Sequence, residues 1–87
     1  MNVTYATDTY NNGQLEYFIP YINGFKNGLA IWWYRNGKLM YETNYENGVY
    51  HKFDKFYASD GNLLRVSTFH YRSSHGVRIS FNYEYNF

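Results

Sequence analysis

The feature that most constrains this chain is a repeat with a period of 24 residues. A turn glycine, a leucine and aromatic residues return in fixed register along the sequence. Repetition on this scale predicts a supersecondary unit stacked along the chain rather than a pocket built around one site. The recurring positions are Gly13, Gly37 and Gly61; Leu15, Leu39 and Leu63; Tyr21, Tyr45 and Phe69; and Trp33, Tyr57 and Phe81.

Large apolar side chains favour odd-numbered positions, which hold 15 of the 21 aromatic residues. Alternation of this kind is typical of β-strands. Three-residue turns ending in Gly13, Gly37 and Gly61 fit a hairpin with a left-handed glycine and a bulge. The other connections, 23–27, 47–51 and 72–75, are predicted to be longer and looser. Seven strands are expected, at 2–10, 14–22, 28–34, 38–46, 52–58, 62–71 and 76–85.

The predicted fold is all-β: one elongated, twisted antiparallel meander of about seven strands, forming a single domain over residues 1–87. Because the odd parity persists through every turn, we expect one aromatic face, with Trp33 opposite Leu39 and Ile31 opposite Tyr41. No segment carries a helical stripe that could cover this face. The sheet must therefore curl on itself, pair with a second copy or lie against a partner. The row expected on this face is Tyr5, Ile19, Ile31, Tyr41, Tyr57, Leu63 and Tyr83.

Composition restricts the partners that we expect. The net charge is +1, so the basic excess on which nucleic-acid binders rely is missing, and a nucleic-acid partner is not expected. The first ten residues have neither a basic region nor an apolar run, and no other segment is apolar enough for a membrane span. The chain has no cysteine, which fits a reducing compartment. We expect a cytoplasmic protein, in the host cytoplasm if it is viral, without membrane contact.

Catalytic and metal-binding patterns do not stand out. His51, His70 and His75 do not have the spacing of metal ligands and are interpreted as turn or surface residues. Glu42 and Asp54 are expected among lysines on the wet face, as ordinary surface charges. Phosphate-binding loops and nucleophile elbows are absent from the sequence. The prediction is a protein that is not an enzyme, with no catalytic residue, metal or cofactor.

Lys55 and Arg65 are the charged residues of most interest. The expected register places them opposite one another on the aromatic face, where two cations repel unless rings or an anionic group intervene. One hypothesis is that they receive an acidic or phosphate-bearing partner. The favoured alternative is that both side chains extend to the sheet edge. The predicted partner-binding residues are Trp32, Trp33, Tyr34, Tyr41, Tyr57, Lys55, Arg65 and Phe81.

The stretch YRNGKLMYETNYENG, residues 34–48, resembles the MORN-type repeat. It is closest to a divergent variant found in YwqK-like antitoxins and in many proteins of large DNA viruses. The resemblance implies a sheet of successive hairpins with scaffold or binding roles, including protein contacts and, in some members, lipid binding or self-dimerisation. Lipid binding is not carried over, because no polybasic cluster accompanies the repeats. The third unit departs from the others, with Lys52 where Gly28 and Gly76 stand.

Two classes of function follow. The first is a protein-interaction module, such as a small antitoxin-like or phage- or virus-encoded inhibitor that binds a larger protein through the aromatic face or the edge strands. The second is a carbohydrate- or nucleobase-binding module that stacks its ligand on Trp32, Trp33 and Tyr34. A structural subunit that self-associates, for example as a homodimer, is a third possibility.

Overall fold

The computed structural model describes the backbone of residues 1–72 and 77–84 and the side chains of residues 1–68. These residues form strands and turns, without a helix. The prediction of an all-β antiparallel meander with seven main strands is confirmed, and a two-residue strand, β3, is added to it. The strands are β1 (Val3–Thr9), β2 (Leu15–Ile22), β3 (Phe25–Lys26), β4 (Gly28–Trp33), β5 (Leu39–Glu46), β6 (Val49–Tyr57), β7 (Leu63–Arg72) and β8 (Val77–Glu84).

All strands belong to one sheet with the order β1-β2-β4-β5-β6-β7-β8, in which β3 also pairs with β2. The principal extents of the molecule are 46 × 39 × 12 Å. Two packed sheets have backbones about 10 Å apart, and the pleat and twist of both sheets add to this distance. A total thickness of 12 Å therefore fits one twisted layer. The sheet is therefore open, with β1 and β8 at opposite edges, and curling does not cover either face.

The turns that join β1 to β2, β4 to β5 and β6 to β7, which we call the tips, have the predicted three-residue loops. In the second unit the amide of Tyr34 donates to the carbonyl of Lys38 at 2.8 Å, and the amide of Gly37 donates to the carbonyl of Tyr34 at 2.9 Å. Gly37 has a φ of +89°, which an L side chain rarely adopts. The side chain of Asn36 accepts from the amide of Lys38 at 2.9 Å and fixes the turn. The same backbone bonds close the tips at residues 10–14 and 58–62.

The turns at the other end of the hairpins are tight, so the prediction of longer loops at 23–27 and 47–51 is wrong. Ile22 pairs directly with Phe25 across Asn23 and Gly24. Both loop residues have positive φ, 51° and 85°, as in a two-residue type I′ turn. Residues 46–49 form the same turn. The connection predicted at 72–75 lies largely outside the described residues.

A bulge in each tip hairpin changes the register that the sequence predicts. Trp33 pairs with Leu39 as expected, but Trp32 pairs with Tyr41, so Met40 is an extra residue on β5. Ile31 consequently faces Glu42, and the predicted pair with Tyr41 is wrong. Corresponding shifts leave one extra residue at position 16 and one at position 64, each 24 residues from Met40.

These bulges divide the odd-numbered side chains between two faces. We define face A by the even-numbered residues of β1, β4 and β6, the odd-numbered residues that follow the bulges in β2, β5 and β7, and Lys26 of β3, apart from the irregular stretch around Lys52. Face B holds the other residues, including Leu15, Leu39 and Leu63, which precede the bulges. Tyr41 therefore lies on face A, whereas Ile31 and Tyr57 lie on face B. The prediction of one odd-numbered aromatic face is wrong, because each bulge inverts the parity.

The core lies on face A. Its middle row consists mainly of small side chains, and large rings from the flanking rows pack onto them, among them Tyr17, Trp32 and Tyr50. All six residues that the structure describes as buried belong to this face. They are Ile19, Ala30, Tyr45, Thr43, Asp54 and Ser67. The sheet thus forms a small core on one side without a second layer.

The third unit contains a strained backbone position that we expect mutation to relieve. Lys52 has a φ of +78°, at the position that Gly28 occupies with a φ of +106° in the second unit. A left-handed conformation costs a non-glycine residue about 1–2 kcal/mol. Lys52→Gly should therefore raise the free energy of unfolding by about 1 kcal/mol, after allowance for the entropy of glycine. Urea unfolding of the wild type and the variant measures this difference in the free energy of unfolding.

The matched control for Lys52→Gly is Gly28→Ala. A Cβ at position 28 would lie 3.2 Å from Cγ of Pro20 and would meet the same backbone restriction, so this change should destabilise the protein. If Lys52→Gly instead lowers the free energy of unfolding, the lysine side chain stabilises the protein by more than the backbone strain destabilises it.

Candidate interaction surface

Face A carries a row of stacked rings on the side of the sheet nearer the tips. The rings of Trp32 and Tyr41 lie 5.2 Å apart, and those of Tyr41 and Phe56 lie 4.3 Å apart. The guanidinium of Arg65 lies 4.9 Å from the ring of Phe56 and ends the row. Because each ring faces a neighbour in the row, these aromatic residues are engaged in packing within the sheet.

A second row runs parallel to the first on the opposite side of the small residues. The rings of Tyr45 and Tyr50 stack at 5.2 Å, and the ammonium group of Lys26 lies 5.0 Å from the ring of Tyr45. Burial, with a further contribution from Tyr50, raises the pKa of Tyr45 to about 12. The two rows close over the small residues between them, so the core of face A is covered by its own rings.

Face B is the open face of the sheet. Its exposed apolar side chains on β1–β4 form what we call the open apolar patch. Tyr5 and Phe25 are the most exposed of these side chains, at 61% and 58%. Apart from Glu16 in the bulge, these strands place no charged side chain on face B. The patch consists of Val3, Tyr5, Leu15, Phe25 and Leu29.

A polar region borders the patch on β5 and β6. Glu42 pairs across the strands with Lys55 and accepts a hydrogen bond of 2.9 Å from the hydroxyl of Tyr57. Farther along these strands, His51 Nδ1 lies 3.0 Å from the carboxylate of Glu46. Burial, together with the hydrogen bond and charge of Glu42, raises the pKa of Tyr57 to about 12. Face B thus combines an apolar half with a charged border.

The predicted partner-binding residues do not form one surface. Tyr34 lies in a tip turn, where its hydroxyl donates to the carbonyl of Tyr57 at 2.7 Å. The backbone of Phe81 pairs with Thr68, but its side chain lies outside the described residues. The register places Trp32, Tyr41 and Arg65 on face A, and Trp33, Lys55 and Tyr57 on face B.

Lys55 and Arg65 lie on opposite faces, so the prediction that they face one another is wrong. Lys55 pairs with Val66, and Arg65 pairs with Phe56, because the bulge on β7 shifts the register by one residue. Each cation lies near a ring on its own face, at 5.3 Å for Lys55 over Phe53. A joint anion site made by these two side chains is therefore excluded by the geometry.

Asp54 is not the surface charge that the sequence predicts. Its side chain is 8% exposed and lies in the buried row of face A. One carboxylate oxygen accepts a bond of 3.2 Å from the hydroxyl of Tyr41, and the other has no hydrogen-bond partner. Burial and the charge of Asp54 raise the pKa of Tyr41. The corresponding positions of the first two units hold Ala6 and Ala30, so the third unit alone introduces a carboxylate here.

Hydrogen bonds between neighbouring tips join the first three units and end at the third. The hydroxyl of Tyr10 donates to the carbonyl of Trp33 at 2.6 Å, which repeats the bond from Tyr34 to Tyr57. Side-chain amides add a second bond, from Asn12 to the carbonyl of Arg35 and from Asn36 to that of Ser59. The third unit has Ala58 and Asp60 at these positions, which have no donor to continue the series.

Two other kinds of site are absent from the part of the chain that the structure describes. Within residues 1–68, where side chains are described, no group of three His, Cys, Asp or Glu residues is arranged to hold a metal ion. The side chains of His70 and His75 lie outside that range. In the described part of the chain, no helix has the length and apolar character needed to cross a membrane.

A comparison with known protein families agrees with the repeat that the structure shows. Residues 26–47, which cover the second residue of β3 and all of β4 and β5, match the family model described as a MORN repeat variant. This segment is similar to a MORN repeat. Neither a curated protein nor a solved structure matches the chain. A MORN repeat is typical of a module that interacts with proteins or membranes. The matched segment is the second of the 24-residue units, and its tip bonds and bulge recur in the flanking units.

We expect the carboxylate of Asp54 to reduce the stability of the repeat. Removing a buried carboxylate that has only one hydrogen bond should relieve its desolvation penalty, so Asp54→Ala should raise the free energy of unfolding at pH 7 by about 1 kcal/mol. Asp54→Asn is the control, because it removes the charge and keeps an acceptor for Tyr41. Chemical denaturation measures both variants. Destabilisation in both would mean that the ionised carboxylate stabilises the sheet.

Stability should decrease at alkaline pH. The pKa values of Tyr45 and Tyr57 are raised to about 12 in the folded protein, above the ordinary value of about 10. Their contribution to the free energy of unfolding is therefore complete below pH ~10 and is lost as the pH rises through the folded pKa. Denaturant unfolding across this range measures the decrease.

The variant Glu42→Gln separates the two causes of the raised pKa of Tyr57. Removing the charge of Glu42 should lower this pKa toward its ordinary value, and burial should keep part of the shift. The pKa is measured by the absorbance of tyrosinate. The part of this absorbance that is missing in Tyr57→Phe belongs to Tyr57. An unchanged pKa in Glu42→Gln would assign the whole shift to burial.

Proposed function

We propose that this protein is a non-enzymatic protein-interaction module that binds a larger protein through the open apolar patch on face B. One observation carries the proposal: among residues 1–68, whose side chains the structure describes, all six buried residues lie on face A, whereas the patch residues, 38–61% exposed, all lie on face B. The chain covers one side of its sheet with its own rings and leaves apolar side chains on the other. An apolar surface with a polar border is typical of an interaction site.

The chemistry of the patch favours a protein partner. Burial of apolar surface contributes about 25 cal/mol per Å², and Tyr5 and Phe25 are large side chains with more than half of their surface still available. Aromatic residues at the centre of an interface often contribute most of the binding energy. The border provides Glu42 and Lys55, which can fix the orientation of a partner.

A finer version of the proposal is that the partner is an effector which this protein neutralises, as an antitoxin-like or phage- or virus-encoded inhibitor in the cytoplasm would do. The resemblance to the repeats of YwqK-like antitoxins supports this version. A small sheet that covers part of a larger protein could block its active surface without any chemistry of its own. No observation favours the alternative of ligand stacking, because Trp32 and Trp33 lie on opposite faces.

Two adjacent substitutions on β1 provide a matched test. Tyr5 lies on face B and Thr4 on face A, and both are exposed. The tagged wild-type protein, Tyr5→Asp and Thr4→Asp are expressed in the native cell, and the proteins that copurify are compared by quantitative mass spectrometry. Tyr5→Asp should lose a defined partner, because a charge in the patch would have to be desolvated. Thr4→Asp should retain it.

Circular dichroism and thermal unfolding of both variants show whether the sheet is intact. Equal loss of the partner in folded Tyr5→Asp and Thr4→Asp would contradict a role for face B. A partner that is retained by both variants would contradict it as well.

A further inference from the structure

The dimensions of the open apolar patch limit what it can bind. It spans the neighbouring strands β1, β2 and β4, which at about 4.8 Å per strand gives a width of about 14 Å. β1 has seven residues, so the patch is about 23 Å long in the strand direction. Its projected area is therefore on the order of 300 Å², and its long axis follows the strands.

We propose that the occupant of this patch is a single amphipathic α-helix of the partner protein, lying roughly along the strands. This inference rests on the proposed function and specifies the partner's contact. A helix is about 10–12 Å wide and about 15 residues of it cover 23 Å, so one helix matches the patch in both directions. A helix with one apolar stripe needs such a surface, because that stripe must be buried against another element.

A second copy of the chain fits the patch less well. A stable dimer buries about 800 Å² on each partner, far more than the patch provides. A larger overlap of two B faces would extend over the charged border and desolvate Glu42 and Lys55, which is costly unless every charge finds a partner. The area and the charge distribution therefore favour a narrow occupant.

An extended segment is also a poorer match to the patch. Such a segment binds mainly by adding its backbone to an open strand edge. The patch instead lies on a face, where the backbone groups of β2 and β4 already pair with their neighbouring strands. What remains available there is side-chain surface, with Leu29 42% exposed on β4 and Tyr5 61% exposed on β1.

The test uses a synthetic peptide of about 15 residues, with leucines at the i, i+3, i+4 and i+7 spacing of one helix face and Glu, Lys and Gln elsewhere. A shuffled peptide of the same composition is the control. Binding is measured by titration calorimetry and peptide helicity by far-UV circular dichroism. Isolated helices of this length are marginal in water, so binding on the patch should increase helicity.

The protein variants are Leu29→Asp and Tyr5→Asp in the patch and Thr4→Asp on face A. The striped peptide should bind the wild type and Thr4→Asp with similar affinity and should bind both patch variants at least about tenfold more weakly. Equal binding of the shuffled peptide, no binding of the striped peptide or binding without a gain in helicity would overturn the helix proposal.

Sedimentation of the unliganded protein tests the other occupant. A wild-type dimer that Leu29→Asp converts to a monomer would assign the patch to a second copy and overturn the helix proposal. The copurification experiment separates this inference from the proposed function. If Tyr5→Asp loses the native partner while the striped peptide does not bind, the helix proposal fails and the proposed function stands. If the native partner does not depend on face B, the proposed function itself fails.

Discussion

The extra residue in each tip hairpin determines which side chains share a face of this sheet. Met40 and its counterparts in the other units shift the pairing by one residue, and the period of two along a strand then moves every following side chain to the opposite face. Without the bulge, Ile31 would face Tyr41. With the bulge, the rings of Trp32 and Tyr41 meet on face A, and Leu29 and Ile31 of β4 lie on face B.

This arrangement explains how a single layer is stabilised without a second sheet or a helix. Ala30 and Thr43 have no accessible surface, because larger rings on both sides close over them. The tip bonds, such as that from Tyr34 to the carbonyl of Tyr57, connect the first three units. Stability in such a repeat comes from each unit and its contacts with neighbours. The apolar side chains left on face B are then available for binding.

The sequence predicts the local structure better than the faces. The 24-residue period and the glycines identify the strands and the tips, since Gly37 has to adopt a positive φ. The glycine turns predict a bulge next to each turn, but not the extra residue three positions farther on, because Glu16, Met40 and Leu64 share no side-chain property. The sequence does contain one signal against a single aromatic face. Trp32 and Trp33 are adjacent, and neighbouring side chains on a strand point to opposite faces. The burial of Asp54 depends on rings from other strands, which local sequence does not reveal.

The absence of cysteine from the chain allows a direct measurement of the two faces. Single variants Leu29→Cys and Thr43→Cys place a thiol at two odd-numbered positions, one 42% exposed on face B and one fully buried on face A. The rate of reaction with a water-soluble maleimide is compared in the folded and denatured states. We predict rapid labelling at position 29 and strong protection at position 43. Equal rates at the two positions in the folded protein would contradict the division into a covered face and an open face.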